Sequence, residues 1–161
     1  MIIVLTQCFP PRVGGIENLI ENLSIELSKK YEVLVLADQH NKSGDNEYDS
    51  KVNKNITVKR FGGIKFLRRQ KKIFNLKKYL ETKNITCIIG DSWKSFELCI
   101  ETLNKKSIYS ICLAHGNEII PKNSAYKKRL ITTLNKVSHI VCNSSYTKDL
   151  VMRTGITNQY I

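Results

Sequence analysis

Pro10-Pro11-Arg12-Val13-Gly14-Gly15-Ile16-Glu17 is the stretch that decides the fold of this chain, because it joins an apolar run to an amphipathic one. Before it, residues 1–5 are nearly all apolar and branched, a pattern typical of a short strand buried on both faces. After it, apolar residues recur at helical spacing: Ile16, Leu19, Ile20, Leu23 and Leu27. The stretch is therefore predicted to be the turn between a first strand and a first amphipathic helix.

The pattern around this turn predicts a βαβ unit. Residues 31–37 again favour a strand, so that strand, glycine turn, helix and strand follow one another. The glycines then lie at the carboxyl end of the first strand, where open α/β sheets bind ligands. They match neither a Walker loop nor a Gly-x-Gly-x-x-Gly motif. A helix N-terminus after a glycine loop can bind an anion, but a tight turn without a ligand explains Gly14 and Gly15 equally well.

Strands and helices alternate along the rest of the chain. Residues 38–55 are polar and predicted to form a loop. Further strands are predicted at 56–61, 85–90, 107–114 and 138–142, and further helices at 65–82, 93–103, 124–134 and 145–153. This order predicts a doubly wound, mainly parallel Rossmann-like α/β sheet. The length of 161 residues suits a single domain without a linker or an internal repeat.

Composition disfavours several classes of protein. No stretch is long and apolar enough to span a bilayer, and the N-terminus does not resemble a signal peptide, so a cytoplasmic protein is expected. The five cysteines lack metal-ligand spacing and are expected to be buried thiols; neither a metal nor another cofactor is expected. No helix-turn-helix, RNA-binding or zinc module is visible, which disfavours nucleic acid as a partner.

Positive charge is concentrated in one segment. The chain has a formal charge of +12, and between Lys59 and Lys83 ten Lys or Arg accompany one acid, Glu81, so this segment carries +9. Apolar residues interleave with the bases between Lys65 and Lys78, which predicts a basic amphipathic helix. Such a helix can lie on an anionic bilayer, through Lys65, Arg68, Arg69, Lys71 and Lys72. Binding to nucleic-acid phosphates and a merely solvated helix face remain the alternatives.

Polar residues also gather directly after the predicted strands. Asp91 follows the fourth strand, His115-Gly116-Asn117-Glu118 follows the fifth, and Asn143-Ser144-Ser145 follows the sixth. In a parallel sheet these residues line the edge that forms the ligand crevice. His115 is predicted to shuttle a proton or to bond a hydroxyl-rich substrate, with Glu118 orienting it or serving as base. Helix capping explains Asp91 and the segment from Asn143 to Thr147 about equally well.

Four segments together carry a family resemblance. They are Phe9-Pro10-Pro11-x-x-Gly14-Gly15-x-Glu17, Leu27-Ser-Lys-Lys-Tyr-Glu-Val33, Ala114-His115-Gly116 and Val141-Cys-Asn-Ser144-x-x-Thr147. In this order and spacing they resemble the N-terminal half of the retaining glycosyltransferases of family 4, the group 1 glycosyltransferases. The resemblance covers most of the chain.

That resemblance implies a GT-B enzyme, in which a sugar passes from a nucleotide-sugar donor to an acceptor in the cleft between two Rossmann-like domains. It implies that Gly14 and Gly15 border the donor phosphates and the acceptor, that His115 contacts the donor sugar near the reacting carbon, and that Glu17 supports the loop. The other candidate donor- or acceptor-binding residues are Asp91, Gly116, Asn117, Glu118, Asn143, Ser144 and Thr147.

The resemblance further implies that residues 1–161 form the acceptor-side domain, without the donor-binding domain, and are inactive alone. The expected acceptor is a glycan or a lipid-linked molecule in the synthesis of cell-surface polysaccharide or glycolipid. Work at the inner face of the cell membrane would suit the basic segment. The alternative is a non-catalytic α/β module that binds a glycan, a lipid head group or a partner subunit.

Overall fold

The chain forms two compact units, Met1–Thr86 (unit 1) and Cys87–Ile161 (unit 2), in a computed structural model that describes all of residues 1–161. Unit 1 contains, in chain order, β1 (Ile2–Leu5), α1 (Gly15–Ser28), β2 (Val33–Asp38), α2 (Lys42–Asp49), β3 (Ile56–Phe61) and α3 (Lys65–Thr82). Strand β2 pairs in parallel with β1 and with β3, so that Val35 lies opposite both Val4 and Val58. The apolar run of β1 is buried, as the sequence predicts, and so is that of β2.

Unit 2 repeats the alternation with shorter elements. They are β4 (Cys87–Gly90), α4 (Trp93–Phe96), α5 (Ile100–Lys105), β5 (Tyr109–Ala114), α6 (Ser124–Leu134), β6 (His139–Cys142) and α7 (Ser145–Arg153). Strand β5 pairs in parallel with β4 and with β6, and Ile111 lies opposite both Ile89 and His139. The largest fully buried side chains of this unit include Trp93, Phe96, Leu103, Leu130 and Leu134.

The strand order of the sheet is β3-β2-β1-β4-β5-β6. This is the order of a doubly wound α/β fold, and the predicted fold class is therefore confirmed. None of the helices combines the length and the apolar character needed to cross a bilayer.

The helix predicted at residues 93–103 is wrong in one respect, because the chain forms two short helices there. The N–H of Cys99 donates to the carbonyl of Phe96 at 2.9 Å, a bond across three residues that tightens the backbone between α4 and α5. Trp93, Phe96 and Ile100 are still buried. The apolar spacing therefore identified the buried positions but not the break.

The buried face of helix α1 is rotated from the one that its apolar residues indicate, and only Ile20 among those residues is fully buried. Its buried residues are Glu17, Ile20, Ser24 and Ser28, whereas Leu19 is 42% exposed. The hydroxyl of Ser24 donates to the carbonyl of Ile20 at 2.7 Å, and that of Ser28 donates to Ile25 at 2.8 Å. Small side chains that bond their own helix turn can be buried without an unpaired polar group, so serines occupy the buried face.

The prediction of a loop over residues 38–55 is wrong, because residues 42–49 form α2. Apolar periodicity could not reveal this helix, since its one fully buried residue is Asp45. The Asp45 carboxylate accepts hydrogen bonds from the backbone N–H groups of His40 and Asn41, and it pairs with the buried guanidinium of Arg60 on β3 at 3.3 Å. Arg60 also binds Asp49 at 2.8 Å and donates to the carbonyl of Pro10. A buried ion-pair network thus holds α2 in place.

We expect Arg60→Met to lower the free energy of unfolding by about 3–5 kcal/mol, because the change leaves the buried carboxylate of Asp45 without its cation. Lys54→Met is the matched control, since it removes one positive charge from an exposed position in the segment before β3, and it should cost less than about 0.5 kcal/mol. Urea titrations of both variants give the comparison. Equal losses would show that Arg60 does not hold α2.

Candidate functional site

The glycine loop is shaped by the carboxylate of Glu17. Glu17 is 3% exposed, and its carboxylate turns back over Gly14, where a Cβ atom would clash with it. Arg12 binds this carboxylate, with Nε 2.8 Å from Oε1. The pair places a negative charge in the first turn of α1, where the helix dipole favours it. Glu17 is therefore positioned to support the loop.

Gly15 differs from Gly14 because its surroundings are open. A Cβ atom added at Gly15 would meet no heavy atom within 4 Å. Packing therefore does not call for a glycine at Gly15, whereas a Cβ atom at Gly14 would displace the carboxylate of Glu17 from its place over the loop. Close approach of a ligand to the backbone remains an explanation for Gly15.

In unit 2, the loop after β5 has a backbone shape that depends on Gly116. Its φ of 100° lies in the left-handed region, which side-chain-bearing residues rarely adopt. An added Cβ would also lie 3.4 Å from Oγ1 of Thr147, just after β6. The N–H of Asn143 donates to the carbonyl of Ala114 at 3.2 Å. The structure therefore brings together the candidate residues that follow β5 and β6, as expected from parallel strands.

Glu118 does not orient the imidazole of His115 in the way predicted. Its Oε1 atom accepts a hydrogen bond from the backbone N–H of His115 at 2.6 Å, so it closes the loop instead. The backbone carbonyl of Glu118 accepts from Nε1 of Trp93 at 3.0 Å and from the hydroxyl of Tyr126 at 2.6 Å. The rings of Trp93 and Tyr126 pack edge to face with centroids 5.0 Å apart. Glu118 therefore anchors the loop of His115 to the core of unit 2.

The side chain of His115 has an unsatisfied atom. Its Nε2 is buried and has no hydrogen-bond partner. A buried polar atom without a partner is costly, and such atoms in proteins call for an explanation. A ligand hydroxyl would satisfy it. Asn117, beside it in the loop, is exposed.

The polar residues after β6 form a helix cap. Ser144 is the N-cap of α7, and its hydroxyl accepts from the N–H of Thr147 at 3.2 Å. The buried hydroxyl of Thr147 donates to the side chain of Asn143 at 2.7 Å. Capping accounts for the contacts of Ser144 and Thr147, while the exposed side chains of Asn143 and Ser144 still border an open depression beside β6.

Asp91 is buried and serves the first turn after β4. Its Oδ1 accepts from the hydroxyl of Ser95 at 2.6 Å. The negative charges of Glu118 and Asp91 both act on Cys112, whose pKa is raised well above the usual value, mainly by burial. Burial also raises the pKa of Cys142 and raises that of Cys87 to about 11. These thiols are therefore neutral at physiological pH and poor nucleophiles.

The basic helix α3 is confirmed at residues 65–82, but its bases divide between two faces. Lys72 is 7% exposed and donates to Oδ1 of Asp38 at 2.6 Å, so it cannot contact a membrane as predicted. Arg68 also turns inward, with Nε 2.8 Å from Oδ2 of Asp38. Arg69 is half-buried, whereas Lys65 and Lys71 are exposed. Sequence reasoning missed Asp38, although it ends β2 and so occupies the kind of strand-end position that singled out the other candidates.

Comparison with known protein families gives one match that covers most of the chain. The model described as Glycosyltransferase Family 4 matches residues 13–161. Among curated protein sequences, none matches this chain significantly.

Solved structures share the fold at low identity. Anabaena Alr3699/HepE in complex with UDP has a TM-score of 0.69 and 15% identity, covering 96% of this chain and 40% of that one. Arabidopsis thaliana UGT89C1 complexed with quercetin has a TM-score of 0.64 and 17% identity, covering 98% and 47%. Apo UGT2 of Phytolacca americana has a TM-score of 0.61 and 9% identity, covering 89% and 45%. The chain therefore spans less than half the length of each of these proteins.

Gly116 and Gly15 should respond in opposite ways to an added methyl group. Gly116→Ala should lower the free energy of unfolding by about 1–3 kcal/mol, because φ is positive and Thr147 lies close. Gly15→Ala, the matched control, should leave stability unchanged or raise it by up to about 1 kcal/mol, since the position is helical and open. Thermal or urea unfolding measures both. A stable Gly116→Ala variant would contradict the assigned loop geometry.

Proposed function

Since the chain belongs to glycosyltransferase family 4, we propose that it is the acceptor-side domain of an enzyme that transfers a sugar from a nucleotide-sugar donor to a glycan or lipid-linked acceptor. The observation that carries the proposal is the family match over residues 13–161. The unpartnered Nε2 of His115 and the open surroundings of Gly15 support it, because the first lacks a hydrogen-bond partner and the second leaves room for a ligand.

In the proposed reaction, the bond between the anomeric carbon and the donor phosphate oxygen breaks, and the nucleoside diphosphate departs with the bonding electrons. The acceptor oxygen forms the new bond to that carbon and gives its proton to the departing diphosphate. We propose that the anomeric configuration is retained. The donor nucleotide is held by a second domain, so residues 1–161 alone bind acceptor without catalysing transfer.

His115 is proposed to hydrogen-bond a hydroxyl of the donor sugar through Nε2. Its backbone is fixed by Glu118, and Glu118 is fixed by Trp93 and Tyr126, so the imidazole is carried by a rigid loop. A preorganised hydrogen bond of this kind accelerates a reaction when it is stronger in the transition state than in the substrate complex.

The outer face of α3 is proposed to rest on an anionic membrane. This face consists of Phe66, Leu67, Gln70, Lys71, Phe74, Lys77 and Lys78. All seven residues are exposed, and Phe66 and Phe74 are exposed by 67% and 71%. Aromatic side chains flanked by lysines suit the boundary between head groups and acyl chains. Work at the inner membrane surface would bring the enzyme to a lipid-linked acceptor.

Substitution of His115 tests the catalytic proposal. In a polypeptide that carries this chain together with a donor-binding domain, His115→Ala should lower kcat about a hundredfold or more, because a polar contact to the reacting sugar is lost. His139→Ala is the matched control, since His139 begins β6, and it should leave kcat unchanged. Transfer of labelled sugar from uridine and guanosine diphosphate sugars is the readout.

Unchanged turnover in the His115→Ala protein would reject this role. Transfer by purified residues 1–161 alone would contradict the need for a donor domain. If the joined protein transfers no sugar while residues 1–161 bind a glycan or a lipid head group, the non-catalytic binding module is favoured.

Vesicle sedimentation tests the membrane proposal. The chain should sediment with anionic vesicles and not with neutral ones, and a Lys71→Glu, Lys77→Glu, Lys78→Glu variant should stay in solution, since each lysine contributes about 1 kcal/mol near an anionic surface. The control reverses three exposed lysines elsewhere, Lys30, Lys54 and Lys106, for the same change in net charge. If both variants lose vesicle binding equally, overall charge explains the binding, and the outer face of α3 is rejected as the membrane contact.

A further inference from the structure

Unit 1 contains a polar cavity of about 140 Å³ just beyond the carboxyl ends of β1 and β2. Its walls include Gln7, Arg12, Asp38, Gln39, His40 and Arg68. At roughly 30 Å³ for each water molecule, it holds about four or five waters. One phosphate group fits this volume, whereas sites for drug-sized ligands exceed roughly 300 Å³.

The charge around the cavity is positive. Asp38 is the one acid in its wall, and both of its oxygens are already bound, one by Lys72 at 2.6 Å and the other by Arg68 at 2.8 Å. Arg12 is matched by Glu17. Three cations, Arg12, Arg68 and Lys72, therefore surround two carboxylates, which leaves one positive charge in excess. An anion that enters the cavity is attracted by this excess.

Several hydrogen-bond donors at the cavity have no protein acceptor. Arg12 is half-exposed and uses only Nε for Glu17, so that both of its Nη groups are available. Arg68 uses Nε for Asp38 and Nη1 for the carbonyl of Gly63 at 3.0 Å, which leaves Nη2. The side chains of Gln39 and His40 add further donors, and Gly62 leaves room for the Gln39 amide, because a Cβ there would clash with it.

We propose that this cavity binds a phosphate group of the acceptor substrate. A phosphate presents three oxygens to surrounding donors, whereas a carboxylate presents two in one plane, and the donors here come from several separate segments. The planar guanidinium groups of Arg12 and Arg68 can bind two phosphate oxygens at once, which a lysine ammonium group does less well. That the bound phosphate belongs to the acceptor rests on the proposed function, whereas the binding of phosphate in this cavity does not.

The same chemistry occurs in a soluble sugar phosphate and in a phospholipid head group. Arg68 belongs to α3, whose outer face is proposed to rest on a membrane, so the structure accommodates either source. Glycerol 3-phosphate and monomeric dihexanoyl phosphatidic acid separate the two, because they share the phosphate and differ in acyl chains. Tighter binding of the dihexanoyl compound assigns the cavity to a lipid, and equal binding assigns it to a soluble phosphate.

Nuclear magnetic resonance titration of residues 1–161 with inorganic phosphate and with both esters tests the proposal. Phosphate should shift the backbone amide signals of Gln39 and His40 and the Nε–H signal of Arg12, and neutral glycerol should not. Arg12→Lys keeps a cation beside Glu17 but loses the two Nη donors, and it should raise the Kd for phosphate at least tenfold. Arg129→Lys is the matched control, since Arg129 is also about half-exposed and paired with a glutamate, Glu97 at 2.8 Å, and it should bind as the parent protein does.

Absence of shifts at Gln39, His40 and Arg12 with all three phosphates would overturn the proposal. So would an unchanged Kd in the Arg12→Lys protein whose spectrum shows that it is folded. Because the titration involves no sugar transfer, its failure is distinguishable from failure of the proposed transferase activity.

Discussion

The buried guanidinium of Arg60 is the contact on which the arrangement of unit 1 depends. It joins β3 to α2 through Asp45 and Asp49, and it joins both to the chain after β1 through the carbonyl of Pro10. Asp45 in turn fixes the backbone at His40 and Asn41. A buried charge is stable only while its partners stay in place, so these segments are fixed together. Among them are the approach to the glycine loop and one wall of the polar cavity beyond β1 and β2.

The basic residues of helix α3 divide between an inner and an outer side. On its inner side, Lys72 and Arg68 bind the two oxygens of Asp38 at the end of β2. On its outer side, Phe66 and Phe74 are exposed among lysines. The inward pair makes the strand end positive, whereas the outward residues form an amphipathic surface. Net charge alone could not separate the two sides, because each base adds the same charge wherever its side chain points.

The loops of the candidate site are held by different chemistry in the two units. In unit 1, an ion pair between Arg12 and Glu17 turns a carboxylate back over Gly14. In unit 2, Glu118 closes the loop of His115 and is itself fixed by two aromatic side chains. The strand-end positions of Gly14 and His115 were predictable from strand periodicity. The partners of Glu118 were not, since Trp93 and Tyr126 reach the loop of His115 only in the folded chain.

The sequence by itself determined the alternation of strands and helices, the parallel sheet and the strand-end positions of the candidate residues, because buried strands and amphipathic helices impose periodicities on their own residues. Only the tertiary structure decided that α2 exists, that α1 buries serines, that Glu118 bonds a backbone N–H and that Lys72 faces inward. Each of these depends on a polar partner in another element, in the preceding helical turn or elsewhere in the same loop. Local periodicity records which residues are apolar, but it does not record which polar groups find a partner when the chain folds.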